Sequence, residues 1–100
     1  MVNVSIVICT YNRAESLRET LGSLHAQKTD RVKAEILVVD NNSGDPTRQV
    51  VQDFSKMSRW PVIYLFEGQQ GLSYARNTGI RHAKGPVMAF LDDDVVVDAD

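Results

Sequence analysis

The sequence predicts an α/β domain with a mostly parallel sheet. Four short apolar runs have strand-like composition, helical apolar periodicity separates them, and polar or glycine-containing turns follow them. Strands that alternate with helices in this way are typical of βαβαβαβ units with right-handed crossovers. No linker or repeat divides the 100 residues, of which 43% are hydrophobic, so we expect a single domain over residues 1–100.

The first strand is predicted from about Asn3 to Thr10, where β-branched residues dominate and Cys9 should be a small buried residue. A helix follows, with Asn12 as its N-cap and Glu15 in the capping-box position. Its apolar stripe has the helical spacing 3, 4 and 3 and comprises Ala14, Leu17, Leu21 and Leu24.

The second strand is predicted over 34–39 and ends at Asp40. After the turn-forming residues 41–44, Asp45 should cap a second helix with Pro46 at its first position. The predicted buried face of this helix is Val50, Val51, Phe54 and Met57.

A third strand is predicted over 62–66, and a third helix begins at Leu72. Gly85 should be the C′ residue of this helix, and Val87–Leu91 reads as a fourth strand buried on both faces because it is continuously apolar. The predicted inner side of the third helix is mostly small, which indicates close packing on the sheet, and comprises Leu72, Ala75, Gly79, Ile80 and Ala83.

Polar segments follow the strands, and a doubly wound sheet gathers such segments at its carboxyl end, where ligands bind. Those segments are 10–12, 40–42, 68–71 and 92–94. The last consists of three consecutive aspartates, whose mutual repulsion would be relieved by Mg²⁺ or Mn²⁺. A solvated acidic turn is the alternative interpretation of this segment.

The turn after the first strand contains no glycine, which excludes a GxGxxG fingerprint and a phosphate-binding P-loop. Tyr11 could stack on a base and Asp40 could accept a base N–H, which would fit a nucleotide across the first two strands. Alternatively, Tyr11 is a packing residue and Asp40 a turn former.

Four blocks of sequence, taken together, resemble the family 2 glycosyltransferases of GT-A fold. They are 5–13, 36–43, 71–80 and 90–94. The resemblance implies a Rossmann-like, three-layer unit with strand order 3-2-1-4, forming the N-terminal half of a GT-A fold. It also identifies 92–94 as the family's DxD motif, although the acidic Asp93 departs from the usual pattern and leaves open which two aspartates act.

The resemblance implies a set of binding residues. Asp40 would hydrogen-bond the base, most often uracil in this family, and Arg76 would face the aspartates, unless it is their structural ion-pair partner. Asp92 and Asp94 would bind Mn²⁺ or Mg²⁺. The residues expected to bind the nucleotide-sugar are Thr10, Tyr11, Asn12, Arg13, Asp40, Asn42, Gly71, Arg76, Asp92 and Asp93.

The activity that the resemblance implies is inverting transfer from a nucleotide-diphospho-sugar, with a UDP-sugar expected, to a glycan, lipid or protein acceptor. In the family the catalytic base lies well downstream of the DxD motif, so no catalytic residue is assigned. The chain would then be truncated just after the motif, and would bind donor and metal without full catalysis. The fourth strand and 95–97 would expose an apolar edge that favours self-association.

Other functions fit less well. A net charge of −2 gives no general attraction to nucleic acid, and no apolar run reaches the roughly 20 residues of a spanning helix. A single cysteine and the absence of a basic N-terminal region favour a cytoplasmic location, with any membrane association through parts of a longer protein. A phospho-receiver or metal-dependent phosphatase would need an acid after the first strand, where Thr10 stands. A non-catalytic α/β nucleotide-binding or interaction module remains the alternative.

Overall fold

The computed structural model describes residues 2–26 and 32–94. Strands and helices alternate throughout, as predicted. The elements in chain order are β1 (Val4–Thr10), α1 (Ala14–His25), β2 (Ala34–Asp40), α2 (Thr47–Ser55), β3 (Val62–Phe66), α3 (Leu72–His82) and β4 (Val87–Leu91).

The four strands form a parallel sheet in the order β3-β2-β1-β4, which confirms the predicted strand order. Thr10 of β1 pairs with Asp40 of β2, and Asp40 in turn pairs with Phe66 of β3. The strands therefore end nearly level, and the segments that follow them lie together at the carboxyl end of the sheet.

The core lies on both faces of the sheet, and this confirms the three-layer architecture. Every residue of β2 is buried. Ile36 and Val38 pack with Leu17, Leu21 and other apolar residues of α1 and α2 on one face. On the opposite face, Val7, Leu37 and Val39 pack against Ala75 of α3.

Helix α3 lies unusually close to the sheet. A Cβ atom at Gly79 would be only 2.6 Å from Cγ1 of Val7, so the close packing predicted from the small residues is confirmed. The predicted inner face is wrong at Leu72 and Ile80, which are 55% and 45% exposed. Helix α3 contacts the sheet through small residues such as Ala75 and Gly79, and the larger Leu72 and Ile80 are exposed.

Strand β4 is an edge strand. Within the described chain β4 pairs only with β1. The prediction that both its faces are buried is wrong, because none of its five side chains is buried. Val87, Met88 and Phe90 are exposed, as the expected apolar edge requires, and 95–97 lie outside the described residues. Met57, predicted to be buried beneath α2, is also exposed, because α2 ends at Ser55. Cys9, predicted to be buried, is only partly so.

The helix ends differ from the local predictions. Arg13, not Asn12, is at the N-cap position of α1, and Glu15 forms an ion pair with Arg18 instead of a capping box. Helix α2 begins one residue later than predicted, with Pro46 at the cap position. Asp45 nevertheless accepts the N–H of Thr47, so its predicted capping of α2 is confirmed. The start of α1 was not predicted because Ala14 donates its N–H to Asp45, a residue from another segment of the chain.

Gly85 is not a C′ residue, because α3 ends at His82 and is capped by an extended Ala83. Gly85 instead lies against β1, where a Cβ atom would be 2.9 Å from both N and Oγ of Ser5. The glycine is therefore required by a close approach of two backbones.

A buried carboxylate fastens the amino end of the sheet. Glu35 is 2% exposed, and its Oε2 accepts hydrogen bonds from Ser5 Oγ and from the backbone N–H of Lys84, both at 2.7 Å. Ser5 Oγ accepts the N–H of Gly85 at 2.8 Å. These bonds hold the α3–β4 connection to β1 and β2, at the end of the sheet away from the predicted site.

No helix among the described residues is long and apolar enough to cross a membrane.

Candidate functional site

A cavity of about 400 Å³ opens at the carboxyl end of the sheet, at the ends of β1 and β4. The chain order reverses at this point of the sheet, and α/β proteins bind ligands in such positions. The cavity contains residues from three of the four predicted polar segments. Its lining comprises Cys9, Thr10, Tyr11, Arg13, Asn41, Leu72, Asp92, Asp93 and Asp94.

The three aspartates differ in their surroundings. The side chain of Asp93 is 12% exposed, whereas that of Asp94 is 53% exposed and Asp92 is also exposed. Nη1 of Arg13 lies 3.2 Å from Oδ2 of Asp94 and 3.9 Å from Oδ1 of Asp93. The acidic segment is thus partly neutralised by an arginine from the loop after β1, a pairing that the sequence did not reveal.

Arg76 is not the ion-pair partner of these acids in the part of the chain described. Its guanidinium carbon lies 5.7 Å from the ring centroid of Phe90, a cation–π arrangement. It lines a small cleft beside Asp92 that adjoins the main cavity. Arg76 therefore leaves its positive charge available near the aspartates.

Asp40 is not among the residues that line the cavity. It is 4% exposed, its Oδ2 accepts the hydroxyl of Tyr64 at 2.6 Å, and its Oδ1 accepts the N–H of Ser43 at 2.9 Å. Burial, together with the hydrogen bond to Asp40, raises the pKa of Tyr64 to about 12. Asp40 thus bonds Tyr64 of β3 and the turn that follows β2, and its contact with a base stays a prediction.

Asn41 lines the cavity, although the sequence had suggested only a turn residue. Its Nδ2 donates to the carbonyl oxygens of Glu67 and Gln69 at 3.1 and 2.7 Å, and its Oδ1 accepts the N–H of Gly71 at 2.8 Å. It thereby fastens the 67–71 loop at three points beside the cavity. Its position directly after a buried strand was the available signal.

Asn42 and Gly71 are also predicted binding residues that lie outside the cavity lining. Asn42 is exposed with a left-handed φ of 67°, and its Nδ2 donates to the carbonyl oxygen of Gly68 at 3.5 Å. Gly71 has a φ of 143°, a conformation that favours glycine, and it directly precedes Leu72. Both residues shape the loops beside the cavity, and their contact with a nucleotide-sugar stays a prediction.

The segment after β1 provides the most specific indication of a ligand. Thr10 is 2% exposed, and its Oγ1 has no hydrogen-bond partner among the described residues, although Thr10 lines the cavity. An unsatisfied buried hydroxyl is costly, so a polar ligand atom would be stabilised there. Tyr11 is 47% exposed at the cavity wall, whereas the side chain of Asn12 is bonded to the β2–α2 loop. Burial raises the pKa of the Cys9 thiol, so this cavity residue is not a ready nucleophile.

The residue types of the cavity fit a divalent cation. Carboxylate oxygens are the ligands that Mg²⁺ and Mn²⁺ prefer, and Mg²⁺ is commonly held by one or two carboxylates together with substrate phosphates. No group of three chelating side chains is preassembled among residues 2–26 and 32–94. Asp92 and Asp94 are the accessible acids of the segment, whereas Asp93 is buried.

Comparison with known proteins decides the family. The model of glycosyl transferase family 2 matches residues 5–100. The chain belongs to this family. Glycosyltransferase AglE of Haloferax volcanii is 41% identical over 91 residues, which cover 91% of this chain and 30% of AglE. The present chain thus spans about a third of the length of AglE.

Solved structures agree with the fold. A mannosyltransferase, PcManGT from Pyrobaculum calidifontis, in complex with GDP-Man and Mn²⁺, superposes with a TM-score of 0.84 at 31% identity, covering 92% of this chain and 27% of that one. S. aureus TarS 1-349 in complex with UDP gives 0.79 at 29% identity, covering 93% and 28%. The family 2 chain therefore has the α/β architecture of GT-A glycosyltransferases.

Proposed function

We propose that this chain is the donor-binding part of a glycosyltransferase that uses a nucleotide-diphospho-sugar and a divalent metal. The observation that carries the proposal is the cavity at the ends of β1 and β4, where the unpartnered hydroxyl of Thr10 and three aspartates meet. Membership of family 2 and the nucleotide complexes of PcManGT and TarS support the same assignment.

The nucleoside would lie against the β1 side of the cavity. The exposed ring of Tyr11 offers a stacking surface for a base, and Thr10 Oγ1 offers a hydrogen bond to a polar atom of the nucleoside. Asn41 and the 67–71 loop bound this side. A volume of about 400 Å³ suits a nucleoside diphosphate whose sugar extends toward solvent.

The diphosphate would lie at the acidic segment. Asp92 and Asp94 would hold Mn²⁺ or Mg²⁺, and this ion supplies charge stabilisation to the diphosphate as it becomes the leaving group. Arg13 lies 3.2 Å from Asp94 and can turn its guanidinium to a phosphate oxygen, which is a better bidentate partner. Asp93 is the inward acid and would hold the segment in place.

We propose a UDP-sugar as the donor, inversion at the sugar carbon, and transfer to a glycan, lipid or protein acceptor. Support for a uridine donor comes from the UDP complex of TarS, while the GDP-Man complex of PcManGT makes guanosine the competing base. The chain alone is proposed to bind donor and metal without completing the transfer, with the catalytic base supplied by a longer protein.

Calorimetry tests the proposal directly. UDP and GDP would be titrated into the 100-residue chain with and without Mn²⁺, and into the Asp94→Ala variant. Glu15→Ala is the matched control, since it removes an exposed carboxylate that pairs with Arg18 outside the cavity. Mn²⁺-dependent binding of UDP that Asp94→Ala abolishes and Glu15→Ala retains is expected. Failure of both nucleotides to bind under every condition would overturn the proposal.

A further inference from the structure

Asp45 binds the first turns of two helices at once. Its Oδ2 accepts the backbone N–H of Ala14, the first residue of α1, at 3.0 Å. Its Oδ1 accepts the N–H of Thr47, the first residue of α2, at 3.2 Å and also the hydroxyl of Thr47. The residue at the N-cap position of α1 makes no side-chain cap, so the cap of this helix comes from a residue 31 positions along the chain.

A second pair of hydrogen bonds joins the same two loops. The N–H of Asn12 donates to Ser43 Oγ at 2.9 Å, and Oδ1 of Asn12 accepts the N–H of Gly44 at 2.6 Å. Asn12 has a left-handed φ of 51°, which asparagine tolerates better than most residues. The loop after β1 is therefore tied to residues 43–45 at two neighbouring points.

Arg13 stands between these two tied positions. Asn12 before it is bonded to Ser43 and Gly44, and Ala14 after it is bonded to Asp45. The Arg13 side chain is 56% exposed, and its Nη1 lies 3.2 Å from Oδ2 of Asp94. A long side chain loses considerable rotamer entropy when it is held in one place, and a tethered backbone lowers that loss.

We propose that Asp45 is a positioning residue of the donor site, which acts by holding the backbone of Arg13 so that the guanidinium faces the acidic segment and the donor diphosphate. The inference rests on the function proposed above. Asp45 itself is outside the lining of the cavity.

The charge state of Asp45 agrees with this role. Partial burial raises the pKa of the carboxyl, but the hydrogen bonds from the Thr47 hydroxyl and from the N–H groups of Ala14 and Thr47 outweigh it and lower the pKa below its ordinary value. Asp45 is therefore ionised near neutral pH and can accept at both oxygens. Asparagine keeps only one such oxygen, so it can serve one helix and not both.

A purely structural cap would stabilise the fold without involving Arg13, and a double-mutant cycle separates the two roles. UDP would be titrated into the full chain with Mn²⁺, well below the melting temperature, for wild type, Asp45→Ala, Arg13→Ala and the double variant. We expect Asp45→Ala to weaken UDP binding about fivefold in the wild-type background and to have no further effect in the Arg13→Ala background. The melting temperature should fall in both backgrounds.

An equal loss of affinity in both backgrounds, or a lowered melting temperature with unchanged affinity, would show that Asp45 is only structural. If Asp45→Ala does not fold, Asp45→Asn replaces it, and amide exchange at Ala14 shows whether the bond to residue 45 is lost. An affinity equal to wild type although that bond is lost would overturn the proposal. A second readout needs no nucleotide. NMR relaxation of the Nε–H group should show a more mobile Arg13 side chain in Asp45→Ala than in wild type. If wild type binds no UDP but Asp45→Ala still makes the Arg13 side chain more mobile, only the proposed function is overturned. An unchanged Arg13 signal would overturn this inference.

Discussion

Arg13 and Asp94 are 81 residues apart in the chain, yet Nη1 of the arginine donates to Oδ2 of the aspartate across 3.2 Å. The contact joins the loop after β1 to the acidic segment after β4. It places one positive charge where three carboxylates alone would repel one another. A metal ion that binds these aspartates must therefore compete with a cation that the protein itself supplies.

This competition predicts opposite effects of one substitution. Arg13→Gln should raise the affinity for Mn²⁺ alone by up to about fivefold, because an exposed ion pair contributes at most about 1 kcal/mol. The same variant should bind UDP with Mn²⁺ about tenfold more weakly, because the diphosphate loses a charged partner. Both affinities can be measured by calorimetry. Arg18→Gln, which loses only the pairing with Glu15, should match wild type in both. A decrease in both affinities for Arg13→Gln would contradict the competition.

The close approach of α3 to the sheet predicts that Gly79→Ala is destabilising. The new Cβ would be 2.6 Å from Cγ1 of Val7, and relieving such an overlap in a packed core costs about 1–3 kcal/mol. The free energy of unfolding in urea measures this loss. Gly22→Ala in α1 is the matched control, since its Cβ meets no atom within 4 Å, and it should stabilise by about 0.5–1 kcal/mol. Equal effects of the two variants would show that α3 can move off the sheet freely.

The hydrogen bond between Tyr64 and Asp40 predicts a loss of stability in alkali. The pKa of Tyr64 is raised from 10.0 to about 12, so the folded state retains a proton that the unfolded state releases. This stabilisation is complete below pH 10 and is lost as the pH rises toward about 12. Tyr64→Phe should be less stable than wild type below pH 10 and should show a shallower decline above it, measured by urea unfolding. The late step in tyrosine absorbance should disappear in Tyr64→Phe and remain in Tyr74→Phe.

The exposed edge of β4 predicts self-association of the 100-residue chain, with a second copy as the partner. An antiparallel pairing centred on Ala89 would set Lys84 of one copy opposite Asp94 of the other, so the charges at the two ends are complementary. Sedimentation should show dimers at high concentration for wild type and monomers for Phe90→Lys, which places a charge on the edge. Met57→Lys changes another exposed apolar residue, just beyond the end of α2, and should remain dimeric. Monomeric wild type at high concentration would refute the pairing.

The sequence was sufficient to predict which segments form strands and helices and which loops meet, because strand periodicity and the geometry of parallel sheets are local or general rules. It could not assign Asp40, the last residue of β2, and Asn41, which follows it, to their roles, because only the packing shows which of the two side chains reaches the cavity. The cap of α1 by Asp45 was missed for a related reason. Its partners are 31 residues apart, and capping motifs are recognised only between near neighbours.

The exposure of β4 shows a different limit. The exposed edge and the strand order were predicted, but the burial of both faces was not correct. A continuous apolar run predicts a strand, and its composition does not show whether other elements cover its two faces. The role of Gly85 was misread likewise, because a glycine after a helix can serve either a left-handed turn or a close contact with another strand.

The bonds among Glu35, Ser5 and Gly85 lie at the amino end of the sheet, opposite the cavity. Anchorage and recognition are thus carried out by opposite ends of the same four strands. The 67–71 loop is bonded to Asn41 and makes none of the Glu35 bonds, so a substitution in that loop should leave the anchorage of the sheet in place.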